Sequence, residues 1–289
     1  LKNITINKNT FNTLKEIRAR SFKNFIFQQP FKQAFYYRSL LLEGGKFSIM
    51  EYEKEIKKIQ LHHLERFTKK LYEKGYIEGF AYGNLDSITL RKTIKEFSHI
   101  LGIKSLSKAV RYTNSVRQIP AGKTHRIIRK INVPNSAVLT ELQIGQRNPR
   151  LLAELMLIEA LLKAEFYNDL RTKQQLGYIV DSSMSILENT LGLTFLVQSN
   201  SRDSKILEKR INLFVENFFS YIKGITDFEL NELKKSILNQ KLQKTTSIEQ
   251  EARKLFTIAF ERKANFDLKS SEIIAIENIT RENILEFFQ

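Results

Sequence analysis

A guanidinium at Arg171 and a phenol at Tyr178 stand on either side of Gly177, and no other residues in this sequence are better equipped for chemistry. Arginine presents five donors in a fixed fork and tyrosine one hydroxyl, so both suit the carbonyls of a peptide backbone. Residue type alone leaves two readings open. In one, the pair reaches into a cleft and grips a peptide. In the other the segment is a structural corner, with Arg171 paired to an acid and Tyr178 packed in the core. The four histidines are weaker candidates. His62-His63-Leu64-Glu65-Arg66 falls one residue short of the inverted zinc motif H-x-x-E-H, because Arg66 takes the place of the last histidine. A cation there would repel a metal that needs about three protein ligands, so this stretch reads as a solvated first helical turn. His99 falls near a helix C-terminus, where a cationic imidazole is favoured, and His125 sits in a basic linker. No glycine-rich phosphate loop and no Gly-x-Ser-x-Gly elbow occurs. No pair of carboxylates is set apart as a glycosidase dyad. The chain's own residues do not make up a complete enzyme.

The two candidate side chains need rigid elements on both sides. Pro149, well tolerated in a first helical turn, opens a long apolar helix reaching about Gln174. Residues 178–187 and 191–199 then read as a hairpin turning at Glu188-Asn189-Thr190. Arg171 and Tyr178 therefore mark a helix end and a strand start, joined through Gly177. Upstream, residues 125–133 and 137–144 are rich in Ile, Val and Leu and are expected strands, with Pro134-Asn135 supplying the turn between them. Residues 12–72 read as helices, with Ile49, Tyr52, Ile56 and Ile59 recurring on one helical face. Residues 76–82 are short and aromatic, end at Gly83-Asn84, and are expected as a strand. A helix over residues 87–100 follows, with Asp86 or Ser87 placed to cap it. Helices fill the chain from Asp203 onward, with breaks near Gly224, Thr245 and Asn265. Strands followed by a cluster of helices indicate an α+β layered fold.

Composition narrows the function classes. Hydrophobic residues make up 42% and aromatic residues 11% of the 289 positions, enough to bury a sizeable core and to exclude a disordered chain. Forty-seven Lys and Arg against 31 Asp and Glu give a net charge of +16, which predicts a positive field attracting anionic partners. The basic residues are scattered among acids. Even the densest stretch, residues 117–130, shows no helix-turn-helix, zinc finger or aromatic RNA-binding strand, so no nucleic-acid partner is expected. The absence of cysteine removes thiol catalysis, thiolate zinc sites and disulfides together. It suits cytoplasm and bacterial periplasm alike. Apolar runs such as residues 155–162 are too short to span a bilayer, and no signal-peptide pattern opens the chain.

An internal repeat indicates the architecture. Leu14-Lys15 recurs as Leu233-Lys234 and Phe47 as Phe266, each 219 residues later. Residues 59–67 align with 279–287 at an offset of 220, matching Leu64 with Ile284, Phe67 with Phe287, and His62-His63 with Glu282-Asn283. A nearly constant offset over three separated points implies two homologous domains, divided near residues 117–122, where Pro120 and Gly122 break the pattern. Both copies read as incomplete.

Leu170-Arg171-Thr172-Lys173-Gln174-Gln175-Leu176-Gly177-Tyr178-Ile179-Val180 resembles the helix–strand corner near the end of the insulin-degrading enzyme and pitrilysin family of zinc metallopeptidases, which carries glutamate at the position of Gln174. Residues 11–41, with Arg20-Ser21, Asn24-Phe25, Gln29-Pro30 and Tyr36-Tyr37-Arg38, are similar to that family's third domain, as are Ile77-Glu78-Gly79 and Gly83-Asn84. Residues 193–199 resemble a strand of its fourth. The resemblance implies a clamshell of four homologous α+β domains of the LuxS-like metallopeptidase type, each with helices packed on a mainly antiparallel sheet. The first carries H-x-x-E-H, and the last two form a catalytically silent half that helps enclose a short unfolded peptide. On that reading, residues 1–117 are the second half of a third domain, mostly helical with one strand. Residues 118–289 are a fourth domain lacking its last strand and helix. No cofactor or metal is then expected in this chain, and zinc is expected in the catalytic N-terminal half. That half, on the same or a separate polypeptide, and peptide substrates are the expected partners. The implied reaction is zinc-assisted peptide hydrolysis, with the chain inactive alone. Tyr178 and Arg171 would contribute only contacts to substrate and transition state. The competing readings are a non-catalytic binding or assembly subunit of the same superfamily and, more distantly, a basic nucleic-acid binder.

Overall fold

The protein is represented by a computed structural model that describes residues 5–107, 114–262 and 264–288. In chain order the elements are α1 (Lys8–Asn24), α2 (Pro30–Leu42), α3 (Ile49–Lys58), α4 (Leu61–Leu71), β1 (Lys74–Gly75), α5 (Ser87–Leu101), β2 (Lys104–Ser105), β3 (Ser136–Gln146) and α6 (Pro149–Tyr167). A π-helical turn, Asn168–Lys173, follows. Then come β4 (Ile179–Leu187), β5 (Thr190–Ser199), α7 (Ser204–Lys223), α8 (Asp227–Leu242), α9 (Ile248–Glu261), α10 (Leu268–Asn278) and α11 (Arg281–Glu286). Local chemistry sets the helix starts. Asn7, Ser48, Asp86, Asn148, Asp203 and Thr226 each accept backbone N–H bonds at an N-cap, satisfying donors that the first turn leaves free.

The chain forms two compact units interleaved in sequence. One comprises Leu1–Phe25, Phe47–Asn114 and Thr245–Lys263; the other comprises Ile26–Lys46, Ser115–Lys244 and Ala264–Gln289. The second unit holds an antiparallel sheet in the order β3-β5-β4. Leu191, Leu193, Phe195 and Val197 of β5 face a core shared with Leu155, Ile158 and Phe166 of α6 and Ile211 and Phe214 of α7. Phe166 meets Phe195 and Phe214 edge-on at 5.4 and 5.0 Å, a favoured aromatic geometry. The opposite face of the sheet, against α2, carries Glu141, Ser185, Thr194 and Gln198 beside Leu139 and Leu196. Arg38 of α2 forms a forked ion pair with Glu141 of β3 and also donates to Ser185 of β4. Every residue of β5 is buried, as expected of a central strand covered on both faces.

The first unit is built differently. Its helices are amphipathic, yet among its described residues only Phe25 and Leu101 are buried hydrophobics, while Met50, Phe67, Ile88 and Ile100 are exposed. Residues 76–82, expected as a strand, are irregular, and among the described residues the only pairing nearby is the two-residue parallel contact of β1 with β2. Side-chain packing holds this stretch instead. A Cβ on Gly79 would sit 2.7 Å from Ile94 of α5, and the Phe80 ring meets Phe256 and Phe260 of α9 edge-on. Residues 125–133 of the second unit are not a strand either. Ile127 and Ile128 are exposed, while Arg126 pairs with Glu208 of α7 and Arg129 lies over the Tyr37 ring of α2. Apolar content at these positions marks no ladder, because β3 gains no second partner among the described residues.

The repeat has a matching device in each unit. Lys15 Nζ in α1 donates to the carbonyls of Lys57 and Ile59, at the end of α3, at 3.1 and 2.7 Å. Lys234 Nζ in α8 donates to the carbonyls of Glu277 and Ile279, at the end of α10, at 2.6 and 2.9 Å. In both copies a lysine cation closes the negative C-terminal end of the helix after next, α3 or α10.

Candidate functional site

α6 does not simply stop. It widens into the π-helical turn Asn168–Lys173, where the Gln174 N–H bonds the Asp169 carbonyl at 2.9 Å and the Leu176 N–H the Leu170 carbonyl at 3.0 Å. The Gln174 side chain adds a bond to Asp169 Oδ2 at 2.9 Å. Gln175 has a φ of 50°, a left-handed conformation uncommon for a residue with a Cβ. Leu170 and Leu176 are buried beneath the turn. Gly177 then passes so near β5 that a Cβ would lie 2.0 Å from the Gln198 carbonyl oxygen. Only glycine permits that approach, and it delivers Tyr178 to the start of β4.

The corner carries both residues expected from the sequence on its two limbs. Arg171 is half-buried, and its guanidinium makes no hydrogen bond or ion pair with any described residue. Tyr178 keeps 47% of its surface exposed, while its hydroxyl is held from several sides. Asn135 Nδ2 donates to the hydroxyl oxygen at 3.2 Å, Gln198 Nε2 donates to it as well, and the hydroxyl itself donates to Gln29 Oε1 at 3.2 Å. Gln198 is fully buried and also donates to Gln29 Oε1 at 3.0 Å. Its own Oε1 accepts the Phe31 N–H at 2.8 Å. This last bond orients the amide, because a backbone N–H can only donate and so must face the oxygen. The reason lies in the start of α2: Phe31 is in its first turn, where backbone N–H groups have no intrahelical acceptor. Gln29 makes no capping bond of its own, which leaves its side chain for Tyr178 and Gln198.

Gln29, Gln198 and Asn135 had no function assigned from the sequence. A signal existed for Gln198: an amide inside an otherwise buried strand must find partners. His63 caps its own helix. His63 Nδ1 accepts the Gln60 N–H at 3.1 Å, in the capping role that Asn283 fills for Thr280 in the other copy. The His63 pKa is lowered by desolvation and by the neighbouring charges of His62 and Arg66, which favours the neutral ring that this bond requires. Among the described residues no group of three His, Cys, Asp or Glu could hold a metal ion, and no helix is long and apolar enough to cross a membrane.

Comparison with known proteins places this geometry in context. Residues 157–256 match the family model "PQQ synthase PqqF-like, C-terminal lobe domain 4". The chain is 22% identical over its whole length to "Insulin-degrading enzyme-like 1, peroxisomal" of Arabidopsis thaliana, of which it covers 31%. Its fold matches the crystal structure of pitrilysin with a TM-score of 0.84 at 21% identity, covering 99% of this chain and 30% of that one. A peptidase inactive domain from Pseudomonas fluorescens matches with a TM-score of 0.62 at 16% identity, over 98% of this chain and 67% of that one. The chain thus spans less than a third of the length of the full-length relatives it matches.

Proposed function

We propose that this chain, similar in sequence to insulin-degrading enzymes and in fold to pitrilysin and to a peptidase inactive domain, is the substrate-holding half of a peptide-cleaving enzyme, and that it supplies Arg171 and Tyr178 to an active site formed by the catalytic half. Residues 1–117 and 118–289 are, in this reading, two copies of one domain plan, the third and fourth of the complete enzyme. Zinc belongs to the catalytic half.

The observation that carries the reading is the state of Tyr178: its ring is half exposed, yet its hydroxyl is fixed by the amides of buried Gln198, half-buried Asn135 and exposed Gln29. A tyrosine serving only to pack would bury its ring, and one serving only solubility would leave its hydroxyl to water. A fixed phenol donates to a substrate carbonyl, or to the oxyanion that develops from it, with little reorganisation. A donor of that kind is worth about 2.7–4 kcal/mol in the transition state. Arg171, with no acid to neutralise it among the described residues, holds the peptide beyond the scissile bond through its fork of donors. The net charge of +16 favours acidic peptides. Cleavage indifferent to substrate charge would remove that last element alone.

The test is hydrolysis of a quenched fluorescent peptide by this chain combined with its catalytic half, wild type against Tyr178→Phe. The expected result is a fall in kcat of about tenfold or more, with folding and zinc content unchanged. An unaffected rate would return Tyr178 to a structural role and leave a non-catalytic binding or assembly subunit as the better reading.

A further inference from the structure

Tyr178 can donate a useful hydrogen bond only if something decides where its proton points. Its oxygen accepts from two amides, Asn135 and Gln198, and its single proton goes to Gln29 Oε1. Of these partners Gln198 alone is fully buried, and it alone has its amide orientation dictated by a backbone donor, the Phe31 N–H. The order of cause is therefore one-way. The Phe31 N–H, in the first turn of α2, has no intrahelical acceptor; it turns the Gln198 oxygen toward itself, and the Gln198 Nε2 group must then face Tyr178 and Gln29. Gly177 supports the same contact, because its missing Cβ lets the corner lie against the Gln198 backbone.

We propose that Gln198 is the positioning residue for Tyr178, an inference that rests on the function proposed above for this tyrosine. By donating to the phenol oxygen, Gln198 bars that oxygen from acting as an acceptor for substrate and leaves only its proton available. Hydrogen bonds accepted by a hydroxyl also polarise it and strengthen the bond it donates. Gln29 is the resting acceptor of that proton, and a substrate carbonyl takes its place. Gln198 touches neither substrate nor metal in this arrangement and acts through Tyr178.

A double-mutant cycle on the combined enzyme separates the possibilities: wild type, Gln198→Met, Tyr178→Phe, and the pair. Methionine keeps the length and volume of glutamine but cannot donate. Gln198→Met is expected to lower kcat about fivefold, the usual worth of one hydrogen bond, with KM within about twofold of wild type. In the Tyr178→Phe background the same change is expected to leave kcat within about twofold. Equal losses in both backgrounds would overturn the inference while leaving the role of Tyr178 intact. A Tyr178→Phe enzyme as fast as wild type would instead remove the reading beneath it, and the inference with it. Should Gln198→Met fail to fold, Gln198→Glu carries the same cycle: its carboxylate still accepts the Phe31 N–H but captures the Tyr178 proton. The kcat of that variant is expected to recover as pH falls and the carboxyl protonates, and a loss independent of pH would count against the proposal.

Discussion

Gly177 shows how a single missing methyl group governs the candidate site. The space a side chain would need is occupied by the backbone of β5, with the Gln198 carbonyl 2.0 Å and the Ser199 Cα 3.2 Å from an ideal Cβ. Backbone cannot rotate aside as a flexible side chain can, so the corner or the strand must move. Gly177→Ala is expected to destabilise the protein by about 2 kcal/mol or more, measured by urea unfolding. It should also displace Tyr178 from Gln198, visible as a fall in peptide hydrolysis beyond what the lost stability explains. The same corner holds Gln175 in a left-handed conformation, and strain of that kind persists where the surroundings over-determine it. Here those surroundings are the buried Leu170 and Leu176 and the bonds closing the π-helical turn.

α2 links the site to the sheet. Its first turn presents Gln29 and the Phe31 N–H to Tyr178 and Gln198, while Arg38 anchors it to Glu141 and Ser185. Both partners of that ion pair are largely buried, with side-chain exposures of 15% and 11%. Removing one leaves an uncompensated charge in a poorly hydrated place, which costs about 3 kcal/mol or more. Arg38→Met is accordingly expected to destabilise by at least that amount in denaturant unfolding. Replacing Arg38 and Glu141 together by Met and Gln should cost less than the single change, since neither charge then remains unpaired. The polar residues of the sheet, Glu141, Ser183, Ser185, Thr194 and Gln198, all serve this face, whereas Val180, Met184, Leu193 and Val197 serve the opposite core. That alternation is what a strand with two differently covered faces requires.

Across the whole molecule the two units differ in how they are held. The contiguous core of buried hydrophobics lies in the unit that contains the sheet, while the other unit keeps most of its apolar helix faces exposed. Amide hydrogen exchange should follow this division. Protection in β5 and α6 is expected to approach that of global unfolding, with α3, α4 and α5 exchanging at least about tenfold faster. Equal protection in the two units would show that the first has a core that its buried residues do not reveal.

The helices and the hairpin were legible because they rest on short-range rules. Caps, helical periodicity, a proline at a first turn and alternation in a buried hairpin act within a few residues. Lys15 and Lys234, in register in the sequence, make matching carbonyl contacts. The corner was legible too, since a guanidinium, a glycine and a phenol at a helix–strand junction mark it by type. Residues 76–82 and 125–133 have strand-like composition but form no strand, because a strand is completed only by a partner, and apolar composition says nothing about whether an edge is there to meet it. The network around Tyr178 was out of reach for the same reason. Gln29, Asn135, Tyr178 and Gln198 come from four separate places in the chain, and their hydrogen bonds exist only once α2 is laid across the sheet. The sequence by itself determined which elements form and where the phenol stands. Tertiary structure decided what that phenol bonds to, because the direction of its proton is set by side chains brought together from distant parts of the chain.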